Sequence, residues 1–333
     1  MKPHLAILIA LSFLSACAGQ SENRTPVPVV KHHNKLDDVA TVQDIQNILV
    51  GIDSDLVEFR VDDSLNYRSQ FNEGINKKDH DRALELGVQP WVKADFDGNG
   101  YTDLLVIGKY YDHAVLVILD SGENRFYENF ITRSSFQGST FPVVDSRNGK
   151  AVILNYLPDY YMEENKMKNK IKADTLVFEF GDFVEYHAAP AQHHIEKIEY
   201  STGYCYGTCP VFSFKIDSDR RAKFTAEHYN EPDGEYSGNV DSVHYRELTG
   251  LLNYIDFPKL DSSYAVNWTD DQDCTLLVTY DGGKVKKIED YGLLGTFGLE
   301  RAYDMLFDLR KNQKWFDKKG KLRVQEKHNR QRF

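Results

Sequence analysis

From Trp91 onward the chain is cut into short stretches of aliphatic, β-branched and aromatic residues, each closed by a turn signal, and this punctuation limits it to an antiparallel β design. Leu104 to Gly108, Ala114 to Leu119, Arg125 to Ile131, Ala151 to Tyr156 and Thr175 to Phe180 read as strands. Asp120-Ser-Gly-Glu-Asn and Asn148-Gly-Lys separate them as turns. Ile195 to Tyr200, Val211 to Ile216 and Ala222 to His228 continue the series, and Leu276 to Tyr280 and Val285 to Asp290 flank Asp281-Gly-Gly, a strong hairpin signal. Helical segments are few. Thr41 to Val50 opens on a capping Thr, and Lys77 to Leu86 is a second short helix. Tyr245 to Ile255 carries Leu248, Leu251, Leu252 and Ile255 at helical spacing, and Phe297 to Leu309 is a last amphipathic helix. Val57 to Val61 alternates like a strand, and the polar run Glu163 to Lys172 reads as an exposed hairpin tip or a solvated helix. The expected fold is α+β, mostly antiparallel β, as two β-rich domains with a few short helices. The texture changes at Ala188 to His194, which places the domains at 39–187 and 195–311. An aromatic content of 13% agrees, because Tyr and Phe favour strands.

The start of the chain has a different character. Met-Lys-Pro-His precedes an apolar run from Leu5 to Leu14, too short for the ~20 apolar residues that span a bilayer. A positive start, a short apolar core and small residues at its end describe an export signal. Its last residues, Leu14-Ser15-Ala16-Cys17, resemble the lipobox of bacterial lipoproteins. That resemblance implies a signal peptide over 1–16, lipidation of Cys17, and a bacterial envelope location, on the outer membrane and facing either the periplasm or the outside. The competing reading is an ordinary secretory signal with a chance cysteine. Acyl chains, at about 0.8 kcal/mol per buried methylene, hold a protein on a membrane without a spanning helix. Residues 17–38 are polar or proline-containing and read as a flexible tether. A net charge of −11 argues against nucleic acid as a partner. The Lys- and Arg-rich end, 312–333, reads as a solvated tail.

The sharpest local chemistry is Asp95-Phe-Asp97-Gly-Asn99-Gly100-Tyr101-Thr-Asp103. Oxygen-bearing side chains at loop positions one, three, five and nine, with a glycine at six, wrap around one point, and the Tyr101 carbonyl adds a further oxygen. Calcium takes six to eight oxygen ligands in such a loop. The twelfth position is Val106, and a strand follows, so this is not an EF-hand. The segment resembles the loop of FG-GAP and VCBS-type β repeats, which implies structural calcium between strands. A metal-free turn is the plainer alternative, since Asp, Asn and Gly are common in turns.

The second feature is Cys205-Tyr-Gly207-Thr208-Cys209-Pro210. With Ile198-Glu-Tyr before it, and Tyr280-Asp-Gly-Gly-Lys-Val and Asp290-Tyr-Gly after it, the region Ile195 to Arg310 resembles a bacterial domain-of-unknown-function family marked by Cys-x-Gly-Thr-Cys-Pro. The resemblance implies a shared fold and supplies no activity. A disulfide between Cys205 and Cys209 would pin a tight loop, and an oxidising compartment favours it. A redox pair normally has two intervening residues and opens a helix. Zinc would need four ligands, with Cys274 and His193 or His194 recruited. Bridges from Cys274 to Cys205 or to Cys209 also stay open. Asp270, Asp271 and Asp273, or Glu163 and Glu164, read as solvated acidic runs, and Tyr156, Tyr160, Tyr161, Tyr204 and Tyr206 as packing residues rather than a glycan-stacking surface. No catalytic elbow, zinc-protease, phosphate-loop or dinucleotide motif occurs. The expectation is a membrane-anchored binding or scaffolding module for an unidentified protein or glycan partner. A thiol-active or hydrolytic enzyme centred on the cysteine loop is the alternative.

Overall fold

The computed structural model describes residues 31–68, 74–134, 138–163 and 166–323. The expected signal segment over 1–16, the expected lipidation at Cys17 and residues 324–333 lie outside the described residues. Three sheets, antiparallel but for one short parallel pair in the third, follow one another along the chain.

The first sheet contains β1 (Arg60–Val61), β2 (Trp91–Ala94), β3 (Asp103–Tyr110), β4 (Asp112–Asp120) and β5 (Phe126–Phe130), in the order β1-β3-β4-β5 with β2 also paired to β3. Strands β3 and β4 are buried almost throughout because both faces are covered. Leu104, Val106, Leu116 and Ile118 meet α1 (Val42–Ile52), which buries Ile45 and Leu49 beneath them. Leu105, Ile107, Val115, Val117 and Leu119 face the second sheet. Helix α1 starts at Thr41 through a reciprocal capping box with Asp44. Helix α2 (Lys77–Leu86) is capped by Asn76 and ends on Gly87 at φ 73°, a left-handed position that suits glycine.

The strand expected over Val57 to Val61 forms only in part. Ser54–Glu58 is a 3-10 turn capped by Asp53, and pairing is confined to Arg60–Val61. Phe59 is drawn under Gly108, where an added Cβ would collide with the Phe59 ring. That packing outcompetes the local alternation.

The second sheet is a meander of β6 (Phe141–Arg147), β7 (Lys150–Glu163), β8 (Lys166–Glu179) and β9 (Asp182–Glu185). Of the two readings of Glu163 to Lys172, the hairpin holds, with Glu163 paired to Lys166. Side chains alternate between the faces of a strand, and here each face enters a different core. Ile153, Leu176 and Phe183 pack with the first sheet, while Val152, Val177 and Val184 pack with the third.

The third sheet is formed by β10 (Ile195–Thr202), β11 (Phe212–Asp217), β12 (Arg221–Ala226), β13 (Gly234–Asn239), β14 (Ser263–Ala265), β15 (Asp273–Tyr280), β16 (Lys284–Tyr291) and β17 (Phe316–Asp317). Their order is β14-β16-β15-β10-β11-β12-β13-β17, and only β14 and β16 run parallel. Helices α3 (Ser242–Tyr254) and α4 (Phe297–Asn312) pack against it through Leu248, Leu251, Leu252, Leu299, Tyr303 and Leu306. The N-terminus of α4 is gripped from the second sheet. The Glu185 carboxylate accepts from the backbone N–H groups of Phe297 (2.7 Å) and Gly298 (2.9 Å), a charge-assisted use of a helix N-terminus. The expected class is therefore observed: α+β, mostly antiparallel, with four short α-helices among the described residues.

Two segment readings need correction. The expected tether is already packed at Asn34 and Leu36, which are 2% and 0% exposed. The solvated tail likewise does not start at 312. Trp315 is 1% exposed, donates from Nε1 to the Leu309 carbonyl (2.9 Å), and stacks on Phe214. Arg323 then lies over Phe224 and Tyr236. In both cases long-range burial overrides a locally polar composition.

Candidate functional site

The acidic loop joins β2 to β3, which pair up to Ala94 and Asp103. Gly98 (φ 74°) and Gly100 (φ 88°) allow the chain to coil between those two residues. Asp95 organises the coil, accepting from the N–H groups of Gly98 (2.8 Å), Asn99 (3.1 Å) and Gly100 (2.9 Å). Asp103 is fully buried and accepts from Phe96 N–H (2.8 Å) and Asp120 N–H (2.9 Å). Asp97 accepts from the Asn99 backbone and from its side-chain amide. One carboxylate oxygen from each of Asp95, Asp97 and Asp103 lies within 4.8 Å of the others.

Burial is the largest influence on two of these groups. It pushes the Asp103 carboxyl up to about 7, with the charges of Asp97 and Asp95 adding to the effect, and it raises Asp97. The other two predicted ligands are placed differently. The Asn99 oxygen accepts from Tyr101 N–H (2.8 Å), and its amide donates to the Asp120 carbonyl (2.6 Å). The Tyr101 ring stacks on His32 at 4.8 Å. Three hard carboxylates converging in a glycine-shaped coil form a donor set that suits a calcium ion.

Sequence reasoning missed the residues that hold this loop from outside. Asn34 donates to the Thr102 carbonyl (2.7 Å) and to Asp120 (3.0 Å), and His32 N–H donates to the Gly100 carbonyl (2.8 Å). Asp37 accepts from the Thr102 hydroxyl (2.7 Å). The segment leading in from the N-terminal side is thus fastened to the acidic loop. The only sequence signal was a lone Asn about seventy residues away from its partner.

At one end of the third sheet, three connections converge: β10 to β11, β12 to β13, and β14 to β15. The first holds the disulfide Cys205–Cys209, with Cα atoms 5.8 Å apart. Two buried amides tie the three together. Gln272 donates to the carbonyls of Gly203 (2.8 Å) and Pro210 (2.9 Å), and Asn230 donates to those of Val211 (2.6 Å) and His228 (2.8 Å). Tyr206 N–H donates to the Asp270 carbonyl (3.0 Å). The rings of this fixed tip point outward. Tyr206 is 89% exposed, Tyr204 60% and Tyr229 54%.

Among the described residues, the zinc reading and the bridges from Cys274 find no partner. Cys274 is buried, and burial, aided by the neighbouring Asp290 charge, pushes its thiol up to about 12. That is the opposite of an activated thiolate. His193 is committed to Asp281, with Nδ1 2.7 Å from its carboxylate. Among the described residues, the only group of three or more His, Cys, Asp or Glu side chains close enough to share an ion is Asp95, Asp97 and Asp103.

A search of curated proteins returns no match to the chain. Residues 196–310, about a third of the chain, match a family described as Domain of unknown function (DUF6438), and this stretch takes in the disulfide and all three connections of the tip.

Proposed function

We propose that the chain is a lipid-anchored envelope protein that binds a partner through the disulfide-pinned tip of its third sheet. The observation that carries this reading is Tyr206, a large ring left 89% exposed on a loop that is covalently closed and held from beneath by Gln272 and Asn230. Tyrosine supplies wide contact area, and a loop fixed in advance spares the ordering cost of association. Attachment through Cys17 is supported by the lipobox-like ending of the export signal.

Calcium has a structural part in this reading. Asp95, Asp97 and Asp103 would hold it, with the Asn99 side chain and Tyr101 carbonyl completing the set as in the loops this segment resembles. The ion would offset the mutual repulsion of the three carboxylates and stiffen the loop to which Asn34 and His32 are fastened. It would thereby firm the junction between tether and body.

The test is photo-crosslinking in cells that produce the anchored protein, with the reactive side chain at position 206. Position 285, a 58% exposed Val at the opposite end of the sheet, is the control. An adduct from 206 and none from 285 is the expected result. No adduct, or equal adducts from both, would overturn the reading.

A further inference from the structure

The three connections at the tip carry Glu227, Glu231, Asp233, Asp270, Asp271 and Asp273, and between 203–211, 227–234 and 266–273 there is no Lys or Arg. Two cations underlie the loops rather than facing out. Arg310 is 4% exposed, bonded to Asn230 (3.1 Å) and laid on the Phe212 ring. Arg323 donates to the carbonyls of Asn230 and Pro232 while covering Phe224. What faces solvent is a row of rings set among carboxylates. Tyr204 lies 5.4 Å from His228, and His228 lies 6.5 Å from Tyr229.

We propose that this tip takes a cationic peptide segment, one whose Lys or Arg side chains lie on the exposed tyrosine rings while Glu231, Asp233 and Asp270 face their charge. The inference rests on the binding reading above and names the chemistry of the partner. A cation within about 6 Å of an aromatic centroid is drawn to the ring face, and adjoining carboxylates add to that attraction. Rings alone would serve a neutral sugar equally well, but the exposed carboxylates among them, Glu227, Glu231, Asp233, Asp270 and Asp273, would not help it. The same charge repels nucleic acid and anionic lipid. The rings and carboxylates sit on backbone already fixed by the disulfide and two buried amides, so little ordering accompanies capture.

The experiment measures fluorescence anisotropy of a short labelled peptide alternating Lys and Arg with Gly against the full chain. Controls are the same peptide with Gln at every basic position and a labelled neutral chito-oligosaccharide. The variants are Tyr206→Ala and the triple Glu231→Gln, Asp233→Asn, Asp270→Asn, all at exposed positions. Each variant is expected to weaken the basic peptide about tenfold, equivalent to about 1.4 kcal/mol. Raising salt from ~50 to ~300 mM should weaken wild type further, and the Gln peptide should not bind. Unchanged binding in both variants, or equal binding of the Gln peptide, overturns the proposal. Sugar binding that Tyr206→Ala abolishes, without peptide binding, overturns the cationic assignment and keeps the binding reading. If neither probe binds, the cationic assignment falls, and the crosslink from position 206 decides separately whether the tip binds at all.

Discussion

Calcium added to the chain after chelator treatment should raise its thermal stability, and the size of the rise follows from the loop. One oxygen each from Asp95, Asp97 and Asp103 lies within 4.8 Å of the others. Without a cation this crowding is costly, since burial and the neighbouring charges hold the Asp103 carboxyl up at about 7. Extracellular calcium loops bind with Kd of about 10⁻⁴–10⁻³ M. At the tighter end, ~10 mM calcium is ~100 Kd and adds about 2.7 kcal/mol to the folded state. For a cooperative unit of ~150–250 residues, that amounts to about 5–10 °C in Tm. The assay is differential scanning calorimetry with calcium or chelator, on wild type and Asp97→Asn. This variant keeps the oxygen that accepts from Asn99 N–H but loses the charge, so its calcium increment should fall below half that of wild type. No shift in wild type at ~10 mM calcium would rule out calcium binding in this loop, and an equal shift in Asp97→Asn would place the ion elsewhere.

Other outcomes follow from single residues. Replacing Cys205 and Cys209 together by Ala opens a loop of sequence separation four. The chain-entropy relation gives a loss of about 2 kcal/mol, readable by urea unfolding with the fold retained. His113 is 6% exposed and neutral, its Nε2 donating to the Thr140 carbonyl at 3.1 Å, and burial lowers its pKa to about 4. Because the folded value lies below the unfolded value of about 6.5, the unfolded chain binds more protons between the two. The contribution is therefore complete above pH ~6.5 and is lost as pH falls toward ~4, an amount of about 3 kcal/mol. In His113→Phe the decline in stability measured over that window should be shallower by about this amount. Cys17→Ala should move the protein from the membrane fraction to the soluble fraction; retention on the membrane would contradict lipid attachment at that residue.

What could be read in the sequence is what short-range chemistry decides. The Thr41 cap, the Lys77–Leu86 helix and the Asp281-Gly-Gly hairpin are each set within a dozen residues, and each appears as read; of the acidic loop, the three carboxylates Asp95, Asp97 and Asp103 come together. The errors fall where distant partners decide. Val57 to Val61 yields to the fit of Phe59 against Gly108. Asn34 looks like tether until the Thr102 carbonyl and Asp120 are brought to it, and Trp315 looks like tail until Phe214 and Phe224 are. The tip is the instructive case. In sequence Tyr204 and Tyr206 look like packing residues, because their exposure depends on three connections meeting through Gln272 and Asn230. No local pattern announces that meeting.

In the binding reading the cysteine loop is an inert, covalently fixed platform rather than a reactive thiol site. Intact mass after brief alkylation of the folded body, with and without prior unfolding and with and without reductant, tests it most directly. The expected result is no label on the native protein, one label at Cys274 after unfolding without reductant, and two more when reductant is added. Rapid labelling of Cys205 or Cys209 in the native, unreduced protein would contradict it and bring thiol chemistry to the front.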